Sequence, residues 1–228
     1  MVLLALSVLG PIALTILICF AASKSDIQDE DLLSLVLAGT AVGSILAGVL
    51  GVLIIGQEYR HSTIRVTFTS EPRRVRVMVA KVVTITAATV VAGAVAAGLS
   101  YVIGNAILTS RGLDIRIDGT TQLRAVVGVV ILYGLYALAG LGLGSIIRAT
   151  AGAITLFVVW PLVIEPIIGA LISPTHKYLP FIAASALVDT DRPRPHDVFT
   201  PWVGALWFAA FVALLLVAGT VLVWRRDA

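Results

Sequence analysis

Residues 82–110 read VVTITAATVVAGAVAAGLSYVIGNAILTS, a stretch without one Asp, Glu, Lys or Arg. An α-helix rises about 1.5 Å per residue, so about 20 such residues cross the roughly 30 Å hydrocarbon core of a bilayer. Ala, Val, Gly, Leu and Ile fall on every side of that helix and leave no face polar enough for water. The solvent for this segment is lipid.

The same reading extends outward. Residues 1–23, 32–57, 125–147 and 198–224 are equally free of charge, and the run from Ala149 to about Ser173 is interrupted only by Glu165. The sequence therefore predicts an all-α polytopic membrane protein, a single transmembrane domain over 1–228 with spans at about 1–23, 32–56, 82–108, 125–147, 150–173 and 201–224. A cytoplasmic segment at 57–81 and an outer helical segment at 174–200 complete it. Composition agrees, with 59% hydrophobic residues, 13% charged ones and a mean hydropathy of +1.03. Ordinary globular domains carry about 25% charge, and disordered chains combine low hydrophobicity with high net charge, so both classes are excluded.

Met1 to Ala22 contains no cation, whereas a secretory signal needs a positive region before its apolar core. The first span is read as a retained helix. Because the chain begins abruptly inside lipid, some N-terminal sequence is expected to be missing from this start.

Six spans put both termini on one side of the membrane. That side holds Arg60, Arg65, Arg73, Arg74, Arg76, Lys81, Arg148, Arg225 and Arg226. The other holds Lys24, Arg111, Arg116, Arg124, Lys177, Arg192 and Arg194, diluted by nine acids. The positive-inside rule makes the first side, and both termini, cytoplasmic. Topology thus accounts for the net charge of +3. No long basic run and no pairing of Arg with exposed aromatics points to nucleic acid. The single cysteine, Cys19, excludes an internal disulfide and a multi-cysteine metal site.

The connection from Gln57 to Lys81 is longer than a turn between antiparallel helices needs. It has room for a short helix, with Ser70 as a cap and Pro72 in the first turn of the helix that follows. Ile64 and Phe68 fall four apart beside Arg60, Arg65 and Thr67, an amphipathic pattern suited to a membrane surface or to a groove on another protein. A solvated loop whose arginines only fix topology is the plainer reading of the same residues.

Several stretches carry a resemblance: Gly56-Gln57-Glu58-Tyr59-Arg60 to Thr63-Ile64-Arg65, Ser70-Glu71-Pro72-Arg73-Arg74 leading to Ala80-Lys81, Glu165-Pro166, and Lys177-Tyr178-Leu179-Pro180-Phe181. In this order across six spans the chain resembles the permease subunits of ABC-2 type exporters (the type V exporter transmembrane domain), in particular the compact actinobacterial kind. The resemblance covers most of the chain. It implies a bacterial plasma-membrane protein that pairs with a second permease copy or a paralogue and binds two cytosolic ATPase subunits. ATP and Mg would be held by the ATPase, with no cofactor on this chain. It also implies that Glu58, Tyr59, Arg60, Thr63, Ile64, Arg65, Phe68, Glu71, Arg73 and Arg74 form the coupling helix that docks on the ATPase. Two departures stand out: no amphipathic helix precedes span one, and Ser62 stands where relatives often have Gly.

Glu165 is the only ionisable residue deep in a span. Buried carboxyl groups are costly in lipid and tend to face a bundle interior or a water-filled path. Pro161 and Pro166 each remove a backbone donor, so the helix from Trp160 to Pro166 is expected to be kinked. A structural or gating role for Glu165 is favoured over direct contact with substrate. In the outer segment, Tyr178, Leu179, Phe181, Ile182 and Leu187 suit a short apolar helix that dips into the outer leaflet; an interfacial anchor using Tyr178 and Trp202 is the simpler alternative. By resemblance to the exporters, such a helix would close the exit. Glu165, Pro161, Pro166, Tyr178 and Phe181 are therefore the translocation or gating candidates. Gly39 with Gly43, and Gly140 with Gly144, repeat at the spacing that lets helix backbones approach, within or between chains. Tyr133 and Tyr136 either face a pathway or, more simply, pack.

An intramembrane enzyme is not expected, because His61, His176 and His196 all fall in connections and Glu165 has no acidic or cysteine partner at depth. No phosphate-binding Gly-rich Lys-Ser/Thr loop is present, so ATP hydrolysis would belong to a partner. The resemblance implies an exporter subunit, its cargo a lipid, a drug or another amphiphile. The alternatives are an ion-coupled secondary transporter using Glu165, and a non-transporting scaffold or immunity protein.

Overall fold

The computed structural model describes residues 2–21, 32–60, 74–113, 119–147, 149–190 and 199–226. Among these residues every regular element is helical: α1 (Val2–Ala21), α2 (Leu32–Leu37), α3 (Gly39–Arg60), α4 (Arg74–Ser110), α5 (Thr120–Ile146), α6 (Thr150–Val159), α7 (Glu165–Leu171), α8 (Pro180–Ser185) and α9 (Pro201–Arg226). A π-helical turn (Trp160–Ile164) joins α6 to α7, and a 3-10 helix (Ser173–Tyr178) precedes α8. Six helices are long and apolar enough to cross a membrane: Val2–Ala21, Leu32–Gln57, Met78–Ser110, Thr120–Ile146, Thr150–Leu171 and Pro201–Leu222.

Two helices begin earlier than the charge-free runs that announce them. The third starts at Arg74 rather than near 82, and the fourth at Thr120 rather than 125. Arg and Lys are good helix formers, so a cation ends the apolar stretch without ending the helix. Arg124 lies inside α5, and its guanidinium donates to the main-chain carbonyl of Asp189.

The bundle is built around α5, which packs against α3, α4 and α9, while α1 lies across α3 and α4. Apolar side chains gain little by leaving lipid for protein, so close backbone approach and polar ties have to hold such helices together. The α3–α5 crossing is the closest of these approaches. A Cβ on Gly140 would collide with the carbonyl oxygen of Gly48, and one on Gly51 with that of Ala137.

Polar ties appear where the helices are broken. Pro11 has no N–H, so the carbonyl of Ser7 one turn earlier lacks its helical donor. The buried Tyr133 hydroxyl supplies it, donating to Ser7 O at 2.7 Å. A second break falls at Ala38, between α2 and α3. There the Thr15 hydroxyl donates to Val36 O at 2.8 Å, and the Thr40 hydroxyl donates to Leu37 O. Each bond pairs a carbonyl that would otherwise lie unsatisfied in an apolar interior, at a cost of about 1–3 kcal/mol.

Candidate functional site

The second half of the fifth apolar helix is shaped by its two prolines. Pro161 cannot donate to Phe157, nor Pro166 to Leu162, so the ordinary i to i−4 ladder is lost at both positions. The chain widens by one residue, and the Glu165 N–H donates to Trp160 O in an i to i−5 bond. This register matters for where Glu165 points. Eight residues of regular α-helix would swing it about 80° away from Phe157, whereas a wider turn cancels most of that drift. Phe157 and Glu165 are accordingly both buried, with Glu165 fully enclosed.

After α7 the chain reverses at the 3-10 helix. Leu179 is extended, at φ −69° and ψ 122°, and Pro180 opens α8 with the fixed φ that suits a first helical position. The first N–H groups of any helix lack partners within it. In α8 they are met by the Glu165 carboxyl group: Phe181 N–H donates to Oε1 at 3.2 Å and Ile182 N–H donates to Oε2 at 2.9 Å. The Trp160 indole N–H adds a third bond to Oε1 at 3.0 Å. Glu165 therefore acts as the cap of a helix sixteen residues further along the chain. A negative charge is also favoured at that end of a helix.

Apolar packing fixes the same helix from the other side. The Phe181 ring lies 5.1 Å from Tyr136, 5.8 Å from Phe157 and 5.1 Å from Phe208, centroid to centroid. These edge-on and tilted pairs are worth about 0.5–1.5 kcal/mol each beyond the area they bury. Gly204 of α9 comes so close that a Cβ there would strike the carbonyl oxygen of Ala183. At the rim, the Trp207 indole donates to Tyr178 O at 3.0 Å, and the half-exposed Tyr178 ring meets Phe199 at 5.6 Å.

The structure thus brings together four of the five gating candidates. Glu165 and Phe181 form the tie, and Pro161 and Pro166 shape the turn that aims it. Tyr178 sits at the edge. The contribution of the Trp160 indole and of the two main-chain N–H groups was missing from the sequence reading. A Trp five residues before the carboxylate is the only trace of it, since a backbone donor has no residue signature.

The glycine candidates all serve contacts within this chain. Gly39 and Gly43 face α1, where added Cβ atoms would come within 2.6 Å of the Pro11 carbonyl oxygen and the Pro11 ring, respectively; Gly43 also abuts the Tyr133 hydroxyl. Gly140 meets Gly48, and a Cβ on Gly144 would lie 3.1 Å from Val52 Cα. Of the coupling candidates, Glu58, Tyr59 and Arg60 are in the last turn of α3 and Arg74 opens α4. Thr63, Ile64, Arg65, Phe68, Glu71 and Arg73 lie outside the described residues. Just before them, the Thr150 hydroxyl donates to Gly56 O at 3.2 Å and joins α3 to α6.

The arrangement can hold or release a short helix; it offers no nucleophile with a neighbouring base. Among the described residues no group of three His, Cys, Asp or Glu is placed to hold a metal ion. No family model, curated protein or solved structure matches this chain.

Proposed function

We propose that this chain is the membrane-spanning permease subunit of an ATP-binding-cassette exporter, forming a path for an amphiphile and coupled to ATP hydrolysis by a separate cytosolic ATPase. The observation that carries this reading is α4, which runs unbroken from Arg74 to Ser110, 37 residues. Such a helix is about 55 Å long, against a hydrocarbon core of roughly 30 Å. Its Arg74 end therefore projects from the bilayer as a stiff lever whose other half packs on α5. Segment 61–73 joins this lever to the end of α3, which packs on α5 as well. A push on that segment moves two of the helices that surround the central one.

In this reading the cationic end of the bundle, with both termini, is cytoplasmic, and α8 lies at the outer face of a bacterial plasma membrane. Two ATPase subunits bind at segment 57–81 and carry ATP and Mg, while a second permease copy or paralogue completes the path. The α8 helix, tied to Glu165, is an exit element that must shift when cargo leaves.

The buried carboxyl group of Glu165 favours a second reading, an ion-coupled carrier. Its oxygens are already engaged by three N–H donors from the chain, which suits a latch better than an ion site. The test is purification from native membranes followed by transport in inverted vesicles. The exporter reading expects a co-purifying cytosolic ATPase and cargo accumulation that needs ATP. Accumulation driven by a proton or sodium gradient in vesicles lacking any ATPase would replace it with the carrier.

A further inference from the structure

Two of the helices around α5 leave a gap between them. Both α4 and α9 pack on α5 but barely on each other, and toward the Arg74 end of α4 the space between them is a groove of about 360 Å³. Its walls are Met78, Val79 and Val82 of α4 and Leu216, Val217 and Thr220 of α9. Val79 and Val217 are exposed, so the groove opens on the outer surface of the bundle. Among the described lining residues Thr220 alone has a polar side chain, and its hydroxyl donates to Leu216 O at 2.7 Å. That uses its one proton, which leaves no donor for a polar guest. The groove suits a hydrocarbon chain.

Both walls turn from apolar to cationic at the same end. Arg74 opens α4 four residues before Met78, and Arg225 and Arg226 close α9 four and five residues after Val221. Four residues of helix are about 6 Å, roughly one turn. Neither helix contains an Asp or Glu. Arg76 and Lys81 of α4 already have partners, so what draws an anion is the surplus of cations on this end of the bundle, not an idle side chain. In the sequence the cations of this end outnumber its acids, Glu58, Glu71 and Asp227.

We infer that this groove holds one acyl chain of an anionic phospholipid, whose phosphate lies at the level of Arg74, Arg225 and Arg226. A phospholipid changes from hydrocarbon to anion within a few ångströms, as the two walls change from apolar to cationic. Basic pockets between membrane helices are suited to such head groups. A second copy of the chain fits less well. It would cross the membrane in the same orientation and set its own cationic end beside this one. The site does not rest on the exporter reading, and it is measured on the chain alone.

The experiment is native mass spectrometry of the chain released from vesicles of equimolar dioleoylphosphatidylglycerol and dioleoylphosphatidylcholine. One retained phosphatidylglycerol per chain is expected, enriched on the order of tenfold over phosphatidylcholine, the scale of one or two cations near a membrane surface. Val217→Trp fills the groove and removes the retained lipid. Leu206→Trp, at an exposed position toward the other end of α9, leaves it in place. Arg225→Gln with Arg226→Gln keeps the groove and brings the two lipids close to equal retention, a test of the head group that does not depend on how Val217→Trp folds. Unfolding temperatures of all variants report on folding. Equal retention of the two lipids by the unaltered chain, an enrichment untouched by the paired Gln changes, or full retention by folded Val217→Trp would overturn the proposal. A dimer of the unaltered chain that Val217→Trp dissociates, with lipid retention unchanged, would overturn it in favour of a second copy.

Discussion

The helices Thr120–Ile146 and Thr150–Leu171 are almost equally apolar, with mean hydropathies of 2.2 and 2.1 over their most apolar stretches. Yet 61% of the first stretch is buried inside the bundle and 17% of the second. Hydrophobicity does not choose between protein and lipid as a neighbour, because both are apolar. The first helix is central because Gly140, Gly144 and Ala137 let α3 lie directly on its backbone. The second stays peripheral and proline-broken; its first half is tied to α3 through the Thr150 hydroxyl and Phe157, and its second half holds α8 through one carboxyl group and an aromatic cluster. The seam of small residues is a contact of main chain on main chain, whereas α8 is held by hydrogen bonds to one carboxyl group and by ring packing.

Four substitutions break or sharpen this contrast. Gly140→Leu should do the most damage, because the clash is with the Gly48 main chain, which has no rotamer to change. We expect about 3 kcal/mol of destabilisation and the largest fall in unfolding temperature of the four. Glu165→Gln should leave that seam whole and loosen α8, at a cost of about 2 kcal/mol. Amide exchange at Phe181 and Ile182 should then quicken on the order of 30-fold while exchange in α5 stays as it was. If the chain is the proposed exporter subunit, turnover should fall while the co-purifying ATPase is retained. Unchanged protection at those two amides would remove Glu165 from its role as the tie.

Tyr133→Phe strips the Ser7 carbonyl of the donor that replaces the one Pro11 lacks, and should cost about 1–2 kcal/mol. Its effect should show as faster exchange in α1, leaving α8 untouched. Trp160→Phe removes one of three donors to Glu165 and should cost about 1 kcal/mol. Combined with Glu165→Leu, which removes the acceptor, it should add almost nothing; full additivity in that double variant would mean that the indole packs rather than ties.

Much of this architecture is legible in the chain itself. Charge-free runs mark the six long helices because lipid excludes charge wherever a span lies. Their ends are less legible: Arg74 and Arg124 sit within helices, since Arg is a good helix former and a charge-free run ends where the helix need not. Pro161 and Pro166 announce a distortion, but its form depends on which carbonyl accepts the Glu165 N–H. Glu165 is conspicuous as a lone carboxylate, whereas two of its three donors are main-chain N–H groups that almost any residue could supply. The spacing of Gly39, Gly43, Gly140 and Gly144 declares close approach without naming a partner, and the partner of each turns out to lie within this chain. The break at Ala38 has no proline to betray it, and becomes intelligible only through the Thr15 and Thr40 hydroxyls that pair its carbonyls.

In the proposed exporter, movement enters the bundle at segment 57–81. The most direct measurement is ATP-dependent cargo uptake by inverted vesicles holding the complete complex with Arg65→Glu and Arg73→Glu together, alongside its ATPase rate. We predict normal membrane insertion, continued ATP hydrolysis and uptake lost to background. Full ATP-dependent uptake by the doubly reversed protein would contradict the coupling role and, with it, the proposed mechanism.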